Sequence, residues 1–180
     1  MPTQRTPPTT DWDKYGHLFK EMHIPAKTVL LQEGDVSKYG YYIKEGCLRL
    51  WFNNKGKDVT FQLFFENEAV SSIESFRSGE PSLFTIESVE HSTVYAISKK
   101  AYAEIFLNDP AYDAFLRDII YQRLSHYSRL FMSYIKNTPE ERYRELLKNS
   151  PHIIKRVPQH YIASYLGITS VSLSRIRNRV

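Results

Sequence analysis

Apolar and polar positions follow two rhythms along this chain. Between residues 26 and 97 the apolar, β-branched and aromatic residues come in short runs: "TVLLQ", "GYYIK", "CLRLWF", "DVTFQLFF", "LFTIESVE" and "TVYAIS". Gly34, Gly40, Gly46, Gly56 and Gly79 punctuate them, and turns needing positive φ select glycine. Many short, evenly spaced strands predict an antiparallel β-roll or jelly roll rather than a parallel sheet. "NNKGK", between two of the runs, predicts a hairpin. Ahead of the roll, the proline- and threonine-rich residues 1–11 predict a disordered leader. Residues 12–24 predict a short helix with Trp12, Leu18, Phe19 and Met22 on one side.

From residue 98 the period lengthens to that of a helix, first through Ala101, Tyr102, Ile105 and Phe106. "NDP" at 108–110 offers an N-cap followed by proline in the first turn. The longest periodic segment follows, from Tyr112 through Leu116, Ile119, Ile120, Leu124, Tyr127, Phe131 and Tyr134 to Ile135. It spans roughly 40 Å at 1.5 Å per residue. Its apolar surface is wider than one stripe, so one edge can pack on the roll and another on a second copy of the helix. A helix buried within its own protomer is the alternative; a roll this small covers so long a helix poorly, which favours a homodimer. "NTPEERYRELL" starts another helix, with Thr138 as N-cap, Pro139 in first position and Glu141 completing a capping box.

The chain closes on "VPQHYIASYLGITSVSLSRIRNRV". Pro158 starts a helix in which Ile162, Ala163 and Leu166 share a face, and Gly167 breaks it. Thr169 caps the next helix, with Leu173, Ile176 and Val180 inward and Val171, Arg175 and Asn178 opposite, at about 100° per residue. Small Ala163 permits a close crossing, so the pattern is that of a helix-turn-helix. Arginine can pair with guanine, asparagine with adenine, and an outward valine can touch a thymine methyl. Ser170 and Ser172, at a helix start, suit phosphate. A plain helical hairpin with solubilising arginines is the alternative. The chain as a whole is expected to be α+β: a β-roll over 12–108, a dimerisation helix over 109–137 and a helix-turn-helix unit over 138–180.

Charge sharpens this picture. The formal net charge is +4, but residues 1–108 hold 12 Lys/Arg against 14 Asp/Glu, and residues 109–180 hold 12 against 6. From Leu146 onward six basic residues (Lys148, Lys155, Arg156, Arg175, Arg177 and Arg179) meet no carboxylate. Such a stretch is either a solvated basic face or a polyanion-facing one. The single cysteine, Cys47, excludes an internal disulfide and a cysteine-ligated iron–sulfur cluster, which takes about four thiolates. The six histidines lack HxH or HxxxH spacing, so no metal site is expected. No nucleophile motif, P-loop or GxGxxG occurs; neither enzymatic activity nor a cofactor is expected. No apolar run reaches the roughly 18 residues of a membrane span and no signal peptide precedes the roll, so a cytoplasmic setting is expected.

"QEGD" followed by "YYIKEGCLRL", the long helix after "NDP", and "VPQHYIASYLGITSVSLSRIR" together resemble the Crp/Fnr family of bacterial transcription regulators. The resemblance implies a cyclic-nucleotide-binding-type roll, a dimerising helix and a winged helix-turn-helix on a palindromic DNA operator, with RNA polymerase as a further partner. Ser170, Val171, Ser174 and Arg175 match its base-facing positions, and Gln159, Ser172, Arg177 and Asn178 complete the candidate DNA contacts. The sequence closes at Val180, before the family's wing: either the natural protein lacks one or this chain is short of it. Cyclic-nucleotide binders of the family use a Gly-Glu pair and, about ten residues on, an Arg-Ser/Thr pair. The matching segment, "AVSSIESFRSGEPSLFTIE", puts Ser71 and Ser72 at the first pair and Ser82 and Leu83 at the second. From Glu66 to Glu90 six acidic residues face one basic residue, Arg77. A phosphate buried there would meet a desolvation penalty of roughly several kcal/mol. Ser71, Ser72, Arg77 and Ser82 remain the pocket candidates, with Arg77 expected in an exposed loop, and the effector is not cyclic AMP bound in the usual way. The expected function is a homodimeric, sequence-specific DNA-binding regulator; the alternative is a small-molecule-binding module whose helix-turn-helix serves protein contacts.

Overall fold

The computed structural model describes residues 12–179. The leader, the inward position assigned to Val180, and the side chains of Trp12, Asp13, Pro110 and Phe115 lie outside the described residues. A turn of helix, α1 (Trp12–Tyr15), and a 3₁₀ turn (Gly16–Leu18) lead into six strands: β1 (Phe19–Ile24), β2 (Val29–Leu31), β3 (Tyr39–Glu45), β4 (Leu48–Asn54), β5 (Lys57–Phe64) and β6 (Ala69–Val70). Helix α2 (Ile73–Ser78) precedes β7 (Thr85–Ser88) and β8 (Ser92–Ser98). Six helices follow: α3 (Lys99–Asn108), α4 (Pro110–Lys136), α5 (Pro139–Asn149), α6 (Pro151–Arg156), α7 (Gln159–Tyr165) and α8 (Ser170–Arg177).

The strands form two antiparallel sheets, ordered β1-β8-β3-β6 and β2-β7-β4-β5, which face each other as in a jelly roll. Ile43, Leu48, Ile86 and Val94 are wholly buried between them, each contributing about 1.5–3 kcal/mol relative to exposure. The β4–β5 hairpin turns through Lys55 and Gly56 at φ 54° and 84°, the two-residue geometry whose twist matches paired strands.

Residues 19–24 overturn the short helix expected over 12–24: Phe19 to Ile24 pair residue by residue with Ile97 to Ser92 of β8. A helix there would leave the edge of β8 without backbone partners, and the helical spacing of Leu18, Phe19 and Met22 gives way to pairing. Gly40 is no turn glycine either. It lies within β3, opposite Ile97, where the nearest atom to an added Cβ would be an Ile97 methyl at 3.5 Å. Arg77 belongs to helix α2 rather than a loop, though it is exposed as expected.

Local capping explains the helix starts. Ser98 accepts from the Ala101 N–H, Asp109 from Ala111 and Tyr112, and Thr138 with Glu141 forms the capping box. Helix α4 then runs 27 residues. Tyr112, Leu116, Ile119, Arg123, His126, Leu130 and Ser133 are buried or half-buried, spaced alternately by four and three, and form its inward seam.

The C-terminal helices are seated on the roll. Tyr161 and Ile162 of α7, with Leu166 just after it, share one core with Leu63 of β5 and with Cys47 and Phe65, which flank the β4–β5 hairpin. The Thr60 N–H donates to Ser164 Oγ at 2.8 Å. Arg49, 1% exposed, lies here. It pairs with Glu87 at 2.9 Å and Asp58 at 3.4 Å, donates to Thr60 Oγ1, and stacks on Tyr161 at 3.8 Å. The base of hairpin β4–β5 is thus buried on both faces, which a strand read by alternation alone does not anticipate.

Candidate functional site

Helix α7 ends where Gly167 takes φ +68°. The Gly167 N–H donates to Ser164 O and the Ile168 N–H to Ala163 O, both at 2.9 Å, closing the corner. Two residues from outside hold it. Arg142 of α5 donates to the Leu166 carbonyl at 2.9 Å and to the Asn137 carbonyl at 2.8 Å, and the Tyr134 hydroxyl of α4 donates to the Tyr165 carbonyl. The end of the long helix is therefore bonded to this corner. Neither residue stands out in the sequence, because both act through backbone carbonyls that only the fold brings near.

Beyond the corner, Thr169 caps α8 by accepting from the Ser172 N–H at 3.1 Å. Leu173 and Ile176 face inward at 1% and 8% exposure. Ser170, Val171, Ser174, Arg175, Arg177 and Asn178 all face solvent, as does Gln159 at the start of α7. Ser172 is half-buried, its hydroxyl 3.0 Å from that of Thr169. No ion-pair partner is found for Arg175, Arg177 or Arg179 among the described residues. A helix face bearing unpaired guanidiniums, an amide and an apolar tip can donate to and pack against base edges.

Arg156 departs from the basic face to which the sequence assigned it. It forms a fork–fork pair with Glu66 at 2.6 and 2.9 Å and also bonds Glu90. That bonding, ahead of the contact with the Gly46 N–H, holds the Glu66 carboxyl at about 2, well below its ordinary value. Sequence pattern carries no sign that carboxylates 66 and 90 residues away in the roll reach it.

A second feature is a cavity of about 350 Å³ between the roll and α4. Its walls are largely aromatic and aliphatic: Tyr41, Phe64, Phe76 and Phe84 from the roll side, and Tyr112, Leu116, Ile119 and Ile120 from α4. All four pocket candidates line it except Ser82. Ser82 Oγ lies 2.7 Å from the Phe84 carbonyl and 3.0 Å from Ser72 Oγ, so the two buried hydroxyls engage each other. Arg77 sits exposed at the mouth, and Leu83 is 73% exposed. The buried-side cation in the wall is Arg123 of α4, which apolar periodicity does not single out. It occupies the fourth position of the inward seam, between Ile119 and His126. No cluster of His, Cys, Asp or Glu that could hold a metal occurs among the described residues. Burial pushes the Cys47 thiol well above its ordinary value, which leaves it a poor ligand or nucleophile.

Residues 21–109 match the family model of the cyclic nucleotide-binding domain. No curated protein matches the chain. Among solved structures, FixK2 from Bradyrhizobium japonicum is similar with a TM-score of 0.76 at 16% identity, over 89% of this chain and 83% of its own. A CooA mutant from Carboxydothermus hydrogenoformans reaches 0.75 at 15% identity, over 98% and 86%. A transcriptional regulator of the Crp/Fnr family from Eubacterium rectale reaches 0.73 at 17% identity, over 95% and 82%. At these identities the likeness is one of fold: a jelly-roll domain followed by helices in the same arrangement.

Proposed function

We propose that this chain, a cyclic nucleotide-binding-type domain continued by helices in the fold of Crp/Fnr regulators, is a sequence-specific DNA-binding transcription regulator. Helices α7 and α8 act as a helix-turn-helix. Ser170, Val171, Ser174 and Arg175 read base edges, while Gln159, Ser172, Arg177 and Asn178 meet phosphates or flanking bases. The observation that carries this reading is the solvent-facing side of α8, where guanidiniums without carboxylate partners project from a helix whose opposite side is buried.

The active species is a homodimer joined along α4. Two recognition helices related by two-fold symmetry would enter major grooves about 34 Å apart, on a palindromic operator, with RNA polymerase as the partner that reads the outcome. Cyclic AMP does not control it through the usual pocket, because Ser71, Ser72, Ser82 and Leu83 supply no charge for a phosphate. The regulation is allosteric: occupancy at the roll biases the pairing of the α4 helices and, through Tyr134 and Arg142, the seating of the recognition helices.

Selection of binding sites from random duplexes, followed by footprinting, tests the proposal. The expected result is a two-fold symmetric site whose affinity falls steeply with salt. Recovery of no enriched sequence would favour the alternative in which the C-terminal helices contact a protein.

A further inference from the structure

Among the described residues, the four half-buried or buried arginines differ in what answers their charge. Arg49 and Arg156 each meet two carboxylates. Arg142 divides its fork between two helix-end carbonyls. Arg123 has neither. Among the described residues its one hydrogen bond runs from Nη2 to the Ala69 carbonyl at 2.8 Å, and its guanidinium stacks on Phe64 at 4.2 Å. Glu68 is near enough to be felt, but no ion pair forms between them among the described residues. Arg123 is half-buried, and its remaining N–H donors are not among the sealed polar atoms that lack a partner, so they remain reachable at the apolar cavity it borders between the roll and α4.

We propose that this cavity takes a small monocarboxylic acid with an apolar or aromatic body, its carboxylate received by Arg123 and its body by the Tyr41, Phe64, Phe76 and Phe84 side. A planar carboxylate suits the arginine fork. The cavity volume of about 350 Å³ suits a small ligand, at the lower end of the usual range for such sites. A nucleotide suits it less: its sugar and base need polar partners, and the buried Ser72 and Ser82 hydroxyls are already engaged with each other. Because Arg123 and the facing wall belong to α4, such a ligand would join the roll to the long helix directly. The inference names the effector class for the regulator proposed above and rests on that reading for its meaning, though not for its test.

Isothermal titration of the full chain, without DNA, decides it. The probes are 3-phenylpropionate and octanoate, each beside its own amide, and cyclic AMP. At least one acid is expected to bind saturably, one per chain, about tenfold or more tightly than its amide, and more tightly than cyclic AMP. Arg123→Gln should bring acid and amide within about twofold of each other while amide binding persists. Arg123→Lys, which keeps the charge without the fork, should retain part of the preference and guards against loss through misfolding. Equal binding of acid and amide, an acid preference that survives Arg123→Gln, tighter binding of cyclic AMP, or no saturable acid binding would each overturn the proposal. Acid binding in a protein that selects no duplex would instead strike at the regulator reading alone.

Discussion

Gly167 makes the turn between α7 and α8. Its φ of +68° costs an L-residue roughly 1–2 kcal/mol, and an added Cβ would stand 3.1 Å from Tyr134 Cε1. Gly167→Ala is expected to lower stability in urea denaturation by at least about 1 kcal/mol and to loosen the Tyr134–Tyr165 bond. An unchanged unfolding midpoint would contradict the role given to the turn. This glycine was legible from its spacing between two apolar faces. The arginines that matter inside were not. Arg49 alternates with Leu48 and Leu50, which predicts an outward, solvated side chain, yet α7 covers that face. Arg123 sits at an inward helical position, but periodicity counts apolar residues and passes over a charge that the fold buries. In both cases burial is decided by a segment distant in sequence.

Helix α4 presents two seams. The inward one packs on the protomer, and the outward one runs Tyr121, Leu124, Ser128, Phe131 and Ile135, spaced alternately by three and four. Tyr121, Leu124, Phe131 and Ile135 are each more than 60% exposed, an unusual number of large apolar side chains for one helix face to leave to water. Knobs at this spacing match a second copy of the same helix. Phe131→Glu with Ile135→Glu is therefore expected to shift sedimentation from dimer to monomer, weakening association by about 100-fold or more. An unaltered mass would remove α4 as the interface. The helix and its cap were readable in advance because proline, N-cap and a 27-residue period agree. Helices α2 and α6, at six residues each, are too short for a period to declare itself.

Across the whole molecule, the C-terminal helices rest on the roll through Arg49 and Arg156. The second contact is pH-sensitive. Glu66 has an ordinary value of 4.5 and is held near 2, chiefly by Arg156, so the stability it lends is complete above about pH 4.5 and is lost as pH falls toward 2. Thermal unfolding followed between pH 5 and 2 should show that loss, and Glu66→Gln should flatten the slope while lowering neutral stability by about 1 kcal/mol, as expected for a pair partly open to solvent. A slope unaffected by the substitution would mean that the contact holds nothing. The general plan of roll, long helix and basic C-terminal unit was legible from rhythm and charge. The docking between them was not, since it joins residues up to 106 positions apart.

The proposed function turns on the free face of α8, and Arg175 is its most informative side chain. Fluorescence anisotropy on a selected site and on random duplex, with wild type and Arg175→Ala side by side, gives the decisive comparison. The substitution is expected to weaken binding to the selected site by about 1–3 kcal/mol while leaving random-duplex binding much closer to wild type. Equal losses on both duplexes would reduce Arg175 to a phosphate contact, and no loss on either would show that this face does not meet DNA.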